Sequence, residues 1–395
     1  MATAKTAAVV PSLVLVFVFR FLHEAQMIGF FFVGMSSFVG QTAAPIDWPA
    51  ITQKPFEGMA EPSRRLPPLT DQPQPTHSIA NWNKARAQIE SRWSDFLGTP
   101  PAKPSSLQVK WESAVQLQGF TRQRVSFDSE GGDRVEAYLL SPDRRPTADR
   151  LPAVVVFHET TPHTFRQSAG VAGDPDRAFG VELVRRGYIV LCPERFILQP
   201  TNDAANRGPI NWANERAAEL KRRRPGWTGM GKLAFDASRC VDFLESLPGV
   251  DRSRIGCLGF SLGAKQVLYA MAFEARYRVG VADEGGVGVD MSNWHDEWYL
   301  GPTIKQRTAT MDHHQLLALA APRALMIQGG GSADGRQSWP YVEAVLPVYA
   351  LHDAKDRIGL FDHRGGHAFP AEGRRVAYQW LDHWLQHKAT SVLVK

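Results

Sequence analysis

The sequence predicts an α/β fold: a mostly parallel central sheet with helices on both faces and an N-terminal β-hairpin. Three observations carry this. Residues 121–127 and 134–140 alternate apolar and polar around Gly131-Gly132, the pattern of two antiparallel strands joined by a turn. Short apolar runs then recur at 153–157, 188–192, 254–258, 279–282, 324–327 and 358–361, the composition of strands buried on both faces. Helical periodicity falls between them, with Leu233, Ala237, Cys240, Val241 and Leu244 on one face, and Ala377, Trp380, Leu381, Trp384 and Leu385 on another. A hairpin followed by strand–helix alternation gives a parallel sheet covered on both sides.

The chain begins with a targeting pattern. Lys5 precedes an apolar run at 7–19, and a second run at 27–39 ends in Gly40-Gln41-Thr42-Ala43-Ala44. Each run is shorter than a membrane span requires. A charged start, a short apolar core and small residues describe an export signal over 1–44, so a periplasmic or extracellular location is expected, with no stable membrane insertion after processing. A start at Met27 or Met35, or a retained anchor, are the alternatives. Residues 45–80 lack periodicity and read as an extended linker. Trp82, Ala85, Ile89, Trp93 and Phe96 share a helical face, which predicts an amphipathic helix at 81–97 packed on the main body. The domain itself is expected over 81–395. Residues 198–230 interrupt the strand–helix alternation beyond a strand's C-terminal end, where ligands bind on such sheets, and read as a cap or pocket wall.

Composition narrows the partners. At 44% hydrophobic and 22% charged residues, the 395-residue chain can bury a large core. A dispersed net charge of +5 argues against nucleic acid, and Lys221-Arg222-Arg223-Arg224 reads as a solvated helix end or loop. Three cysteines without short spacing, Cys192, Cys240 and Cys257, form neither a disulfide framework nor a zinc site. No metal and no cofactor is expected, and the oligomeric state is not encoded in any pattern found.

The chemistry concentrates at Gly259-Phe260-Ser261-Leu262-Gly263. A bare G-x-S-x-G is weak in a chain with 33 glycines. Here it joins a strand to the helical pattern of Ala264, Val267, Leu268 and Met271, the strand–turn–helix context that exposes a serine nucleophile. A serine hydroxyl needs a base. His367 follows the last strand on the Gly365-Gly366 loop, which has the reach to bend back toward Ser261; His363, nearer the strand end, is its rival. Asp334, after Gly329-Gly330-Gly331, is the expected acid, with Glu284 as the alternative. The backbone N–H groups of Leu262, opening the helix, and Thr160, after the first parallel strand, are the expected oxyanion donors. His158 reads as a packed residue.

On these residues the chain resembles the dienelactone hydrolase-like α/β hydrolases, and more closely a bacterial branch that includes acetyl-xylan-type and glucuronoyl esterases. The likeness spans roughly 80–388. It rests on the stretch 254–265, Glu284-Gly285-Gly286 with Ser292-Asn293-Trp294, the stretch 314–323, the stretch 334–339, and Gly366-His367-Ala368-Phe369-Pro370. Lys265 matches the glucuronoyl-esterase pattern, whereas Leu262 stands where those enzymes carry Arg. Glu159 replaces the usual Gly of the oxyanion loop, which narrows the acyl pocket. The resemblance implies a metal-free α/β-hydrolase-fold serine esterase acting through an acyl-enzyme on small-molecule or polysaccharide esters, in the manner of an acetyl xylan esterase. The alternatives are a glucuronoyl methylesterase, a peptidase on the same fold, or a binding protein that retains the fold without catalysis.

Overall fold

The computed structural model describes residues 46–53, 65–71, 75–143, 150–199 and 208–389. The predicted export signal at 1–44 lies outside them. Residues from Asp47 onward form one compact unit.

The predicted hairpin is part of a larger antiparallel edge. It comprises β1 (Lys110–Trp111), β2 (Val115–Leu117), β3 (Phe120–Asp128) and β4 (Arg134–Pro142), with β3 and β4 paired from Phe120↔Pro142 to Asp128↔Arg134. The parallel part follows as β5 (Leu151–Phe157), β6 (Ile189–Pro193), β7 (Val250–Phe260), β8 (Tyr277–Asp283), β9 (Ala324–Gly329) and β10 (Ile358–Asp362). All residues of β5, β6 and β9 are buried, as their unbroken apolar composition requires. Strand order is β1-β3-β4-β6-β5-β7-β8-β9-β10, with β2 on β3 and β4 antiparallel to β6. The chain therefore reverses direction across the sheet at β5, and the C-terminal ends of β5 and β7 lie side by side at that point.

Eleven helices are seen among the described residues: α1 (Trp48–Thr52), α2 (Ile79–Leu97), α3 (Phe165–Ser168), α4 (Phe179–Arg185), α5 (Pro209–Arg223), α6 (Gly229–Ser246), α7 (Leu262–Phe273), α8 (His314–Ala320), α9 (Trp339–Glu343), α10 (Leu346–Ala350) and α11 (Ala371–Trp384). They cover both faces. A Cβ on Gly280 of β8 would strike Met271 of α7, whereas one on Gly256 of β7 would approach Leu385 at the end of α11. Gly280 pairs with Cys257, so Gly256 points to the opposite side of the sheet.

Two expectations need adjusting. The predicted helix at 81–97 begins at Ile79, where Ser78 caps it by accepting from Asn81 N–H; Leu97 is buried on its inner face and Phe96 only partly. Within the expected linker, Trp48–Thr52 forms α1, capped by Asp47. Five residues are too few to display a period, yet the helix is anchored. Trp48 packs edge-on to Trp380 with ring centroids 4.8 Å apart, and Thr52 fills the space that a side chain at Gly359 of β10 would need.

The basic run ends α5. Arg223 and Arg224 reach the buried Glu130 at 3.0 and 3.5 Å, and Lys221 pairs with Glu297 at 3.5 Å, so three of its four cations meet carboxylates. Cys192, Cys240 and Cys257 are buried free thiols in β6, α6 and β7.

The packing of α1 predicts that Trp48→Ala lowers the unfolding free energy by about 3–5 kcal/mol. Urea denaturation of the two proteins checks this. An unchanged midpoint would mean that α1 does not hold to the sheet in solution.

Candidate active site

Ser261 occupies the turn from β7 into α7 with φ 55 and ψ −116, a left-handed conformation that a non-glycine residue holds only under constraint. Its N–H donates to Asp283 O at 2.8 Å. The flanking glycines are obligatory. A Cβ on Gly259 would lie 2.2 Å from Gly263 C, and one on Gly263 would lie 2.1 Å from Phe157 O. The turn is as tight as the sequence motif demands, and it lifts Ser261 above the sheet's C-terminal edge. Leu262, as the first residue of α7, has no carbonyl one turn back to receive its N–H. Thr160 is exposed on the loop beyond Phe157, which pairs with Gly259 on the adjacent strand.

His367 lies on the loop between β10 and α11. Its Nε2 is 3.0 Å from Ser261 Oγ and its Nδ1 is 3.2 Å from Glu284 Oε2. An imidazole held this way can take the serine proton at Nε2 while its Nδ1–H donates to the carboxylate. Glu284 directly follows β8 with φ 57. Its carboxylate also accepts from the N–H groups of Gly330, Ala333 and Asp334. Burial pushes the carboxyl up, but the His367 bond and these N–H donors outweigh it and hold it below the usual glutamate range.

The expectation that Asp334 is the carboxylate beside His367 is therefore corrected: Glu284, the alternative, stands there. Asp334 is fully committed elsewhere. It accepts from Gly286 N–H at 2.7 Å, Val287 N–H at 2.8 Å and Ser338 Oγ at 2.7 Å, while burial pushes its carboxyl up. The two acids form a reciprocal clasp, each carboxylate bonding the backbone of the other's loop.

His363 does not compete for Ser261. Its Nε2 lies 3.1 Å from Asp283 Oδ1, and its Nδ1 accepts from Gly365 N–H at 3.1 Å. Burial pushes Asp283 up to about 7; burial alone would push His363 down, and its bond to Asp283 raises it instead. The pair sits under the loop that carries His367. His158, read as a packed residue, has its Nδ1 hydrogen-bonded with Glu159 O at 2.8 Å and its Nε2 3.2 Å from a Glu194 carboxylate oxygen. Glu159 is buried and held by Gln167 and Arg177.

Lys265, one turn into α7, is buried. It donates to Gly285 O at 2.6 Å and Ser292 Oγ at 2.7 Å and lies 4.3 Å from the Trp294 ring centroid. Burial pushes its ammonium down to about 7. Sequence reading passed over Arg195 and Asp283. Both stand at the C-terminal end of a strand, a position that was available as a signal. Among the described residues no cluster of three or more His, Cys, Asp or Glu side chains is arranged to hold a metal ion.

Residues 135–282 match the dienelactone hydrolase family. The chain is 31% identical over 124 residues to a 4-O-methyl-glucuronoyl methylesterase of Sodiomyces alcalophilus, covering 25% of each protein. It is 29% identical over 201 residues to one of Hypocrea jecorina, covering 42% of each. The chain thus spans between 25% and 42% of the length of these curated relatives. The fold superposes on a glucuronoyl esterase from Solibacter usitatus with a TM-score of 0.64 at 18% identity, covering 81% of this chain and 98% of that one.

The two acids should separate in kinetics. Glu284→Gln is expected to slow acylation by up to about 10⁴-fold, because it leaves the imidazolium without its partner, and to lower unfolding stability by about 1–3 kcal/mol, because both carboxylate oxygens accept from backbone N–H groups. Asp334→Asn is expected to lower unfolding stability by about 1–3 kcal/mol through the Gly286 and Val287 donors, with the smaller effect on acylation. Pre-steady-state acylation rates and urea midpoints of both variants check this, and the reverse ranking would return the acid role to Asp334.

Proposed function

From a dienelactone hydrolase family domain on an α/β-hydrolase fold, we propose a serine carboxylic-ester hydrolase that works through an acyl-enzyme on carbohydrate-linked or other small esters. The observation that carries this reading is the bonded series Ser261 Oγ, His367 Nε2, His367 Nδ1 and Glu284 Oε2 at a strained strand–helix turn. Ser261 Oγ attacks the ester carbonyl while its proton passes to His367 Nε2. The N–H groups of Leu262 and Thr160 receive the developing oxyanion. Collapse expels the alcohol, which takes the proton from His367. Water then repeats the sequence on the acyl-enzyme, releasing the acid and restoring the serine.

Two alcohol–acid classes fit. Acetyl esters of polysaccharides are the first. Methyl or related esters of uronic acids are the second, favoured by the names of the curated relatives and by Lys265 beside Trp294 near the nucleophile. The apolar runs and small residues of 1–44 support export to where such polymers occur.

Purified protein assayed against acetyl, butyryl and uronic methyl esters tests the reading, with Ser261→Ala as control. The variant should keep its circular dichroism spectrum and lose at least about 10³-fold in turnover, residual rate coming from the oxyanion donors. Turnover near that of the wild type in the folded variant would remove Ser261 as nucleophile.

A further inference from the structure

Arg195 follows β6 by two residues, at the same sheet edge as Ser261. It is 1% exposed, and Nε, Nη1 and Nη2 all lack a hydrogen-bond partner. The other arginines with unsatisfied buried nitrogens among the described residues, Arg124, Arg186, Arg239, Arg357 and Arg374, lack a partner at one atom each. A buried guanidinium with no bond at all loses several kcal/mol of hydration for no return unless something absent from the chain completes it.

Its position indicates what that is. A Cβ placed on Gly263 would come within 3.1 Å of Arg195 Nη2, and the guanidinium carbon lies 6.0 Å from the Phe157 ring centroid. The cation is therefore seated against the first turn of α7, where the unpaired N–H groups and the helix dipole are already positive. The carboxylates that face it do not hydrogen-bond it: Glu159 Oε1 accepts from Gln167 and Arg177 while its Oε2 has no hydrogen-bond partner, and Glu194 accepts from the Arg195 backbone N–H and lies 3.2 Å from His158 Nε2. Burial pushes the guanidinium down to about 9, opposed by Tyr299, Glu159 and Glu194, so it is still a cation at neutral pH. Lys265, one turn along α7, is a second buried basic group and bonds only neutral oxygens. Arg195 thus adds a buried cation to the helix N-terminus that Ser261 caps.

Building on the esterase reading, we infer that Arg195 binds an anionic oxygen of the substrate beside Ser261. Two sources share this chemistry. One is the oxyanion made when Ser261 Oγ bonds to the ester carbon and the carbonyl π pair moves to oxygen. The other is a carboxylate, borne by the substrate or formed as the acid product. A planar guanidinium offers paired N–H donors that suit either.

The test uses Arg195→Met and Arg195→Lys, the latter keeping charge without the planar fork, on neutral 4-nitrophenyl acetate and anionic 4-nitrophenyl hemisuccinate. Melting temperatures with sodium acetate, against sodium chloride at equal ionic strength, are recorded for all three proteins. If the oxyanion is the source, Arg195→Met loses about 10²-fold or more in kcat on both esters with KM nearly unchanged, and Arg195→Lys recovers part of it. If a carboxylate is the source, KM rises on the hemisuccinate alone, and acetate stabilises the wild type more than Arg195→Lys. Either pattern supports the inference. Should Arg195→Met not fold, Arg195→Lys carries the comparison. Wild-type kcat and KM on both esters, with an unchanged acetate response, would reduce Arg195 to a structural residue and overturn it. The acetate response needs no hydrolysis. A wild type that cleaves neither ester yet responds to acetate through Arg195 would overturn the esterase reading and leave the anion site standing.

Discussion

Glu284 and Asp334 stand at the ends of neighbouring strands, and each carboxylate accepts from the backbone of the loop that carries the other. Both are almost fully buried, at 1% and 2% exposed, where an unpaired carboxylate would cost more than a domain can spare. The exchange satisfies both and ties the loop after β8 to the loop after β9. The remainder of the site is fixed to that frame. Glu284 keeps one oxygen lone pair for His367 Nδ1 because the Gly330, Ala333 and Asp334 N–H groups already hold it in place. Gly330 O in turn accepts from Gly366 N–H at 3.1 Å, which fixes the histidine loop to the same frame.

Strain and support are placed together. Ser261 and Glu284 both adopt positive φ, at 55° and 57°, and they are joined through the backbone by the Ser261 N–H bond to Asp283 O. Left-handed backbone in a non-glycine residue persists only where its surroundings over-determine it. Here the surroundings are the parallel pairing of Phe260 with Asp283, the Gly259–Gly263 approach, and the buried His363–Asp283 pair on the other side. A rigid pair of strand ends thus presents Ser261 and Glu284, and a glycine-containing loop closes the His367 imidazole between them.

The sheet and the tight turn that carries Ser261 were legible because each rests on a local pattern: apolar runs of strand length, and glycines where a tight turn excludes side chains. The choice between the two acids was not. Asp334 and Glu284 both stand near a strand end beside glycines, and residue type does not reveal that Glu284 takes a positive φ and turns its carboxylate under His367. Arg195 was passed over although its place just after a strand's C-terminal end was a signal; its burial follows from packing against Gly263 and Phe157, which the sequence does not display. Helix α1 was missed because one turn and a half has no period. The Lys221–Arg224 run is the solvated helix end it reads as, but its pairing with Glu130 and Glu297 was not legible because those partners are distant in sequence.

Covalent capture of the nucleophile bears most directly on this account. A fluorophosphonate reacts with a serine only when a neighbouring base activates it. Intact-mass analysis of the labelled protein should show one added phosphonyl group. Trypsin should then release it on the peptide spanning 255–265, in which Ser261 is the sole serine. Fragment ions should place the label on that residue. Labelling at another residue, or an unlabelled protein that still hydrolyses esters, would contradict the account.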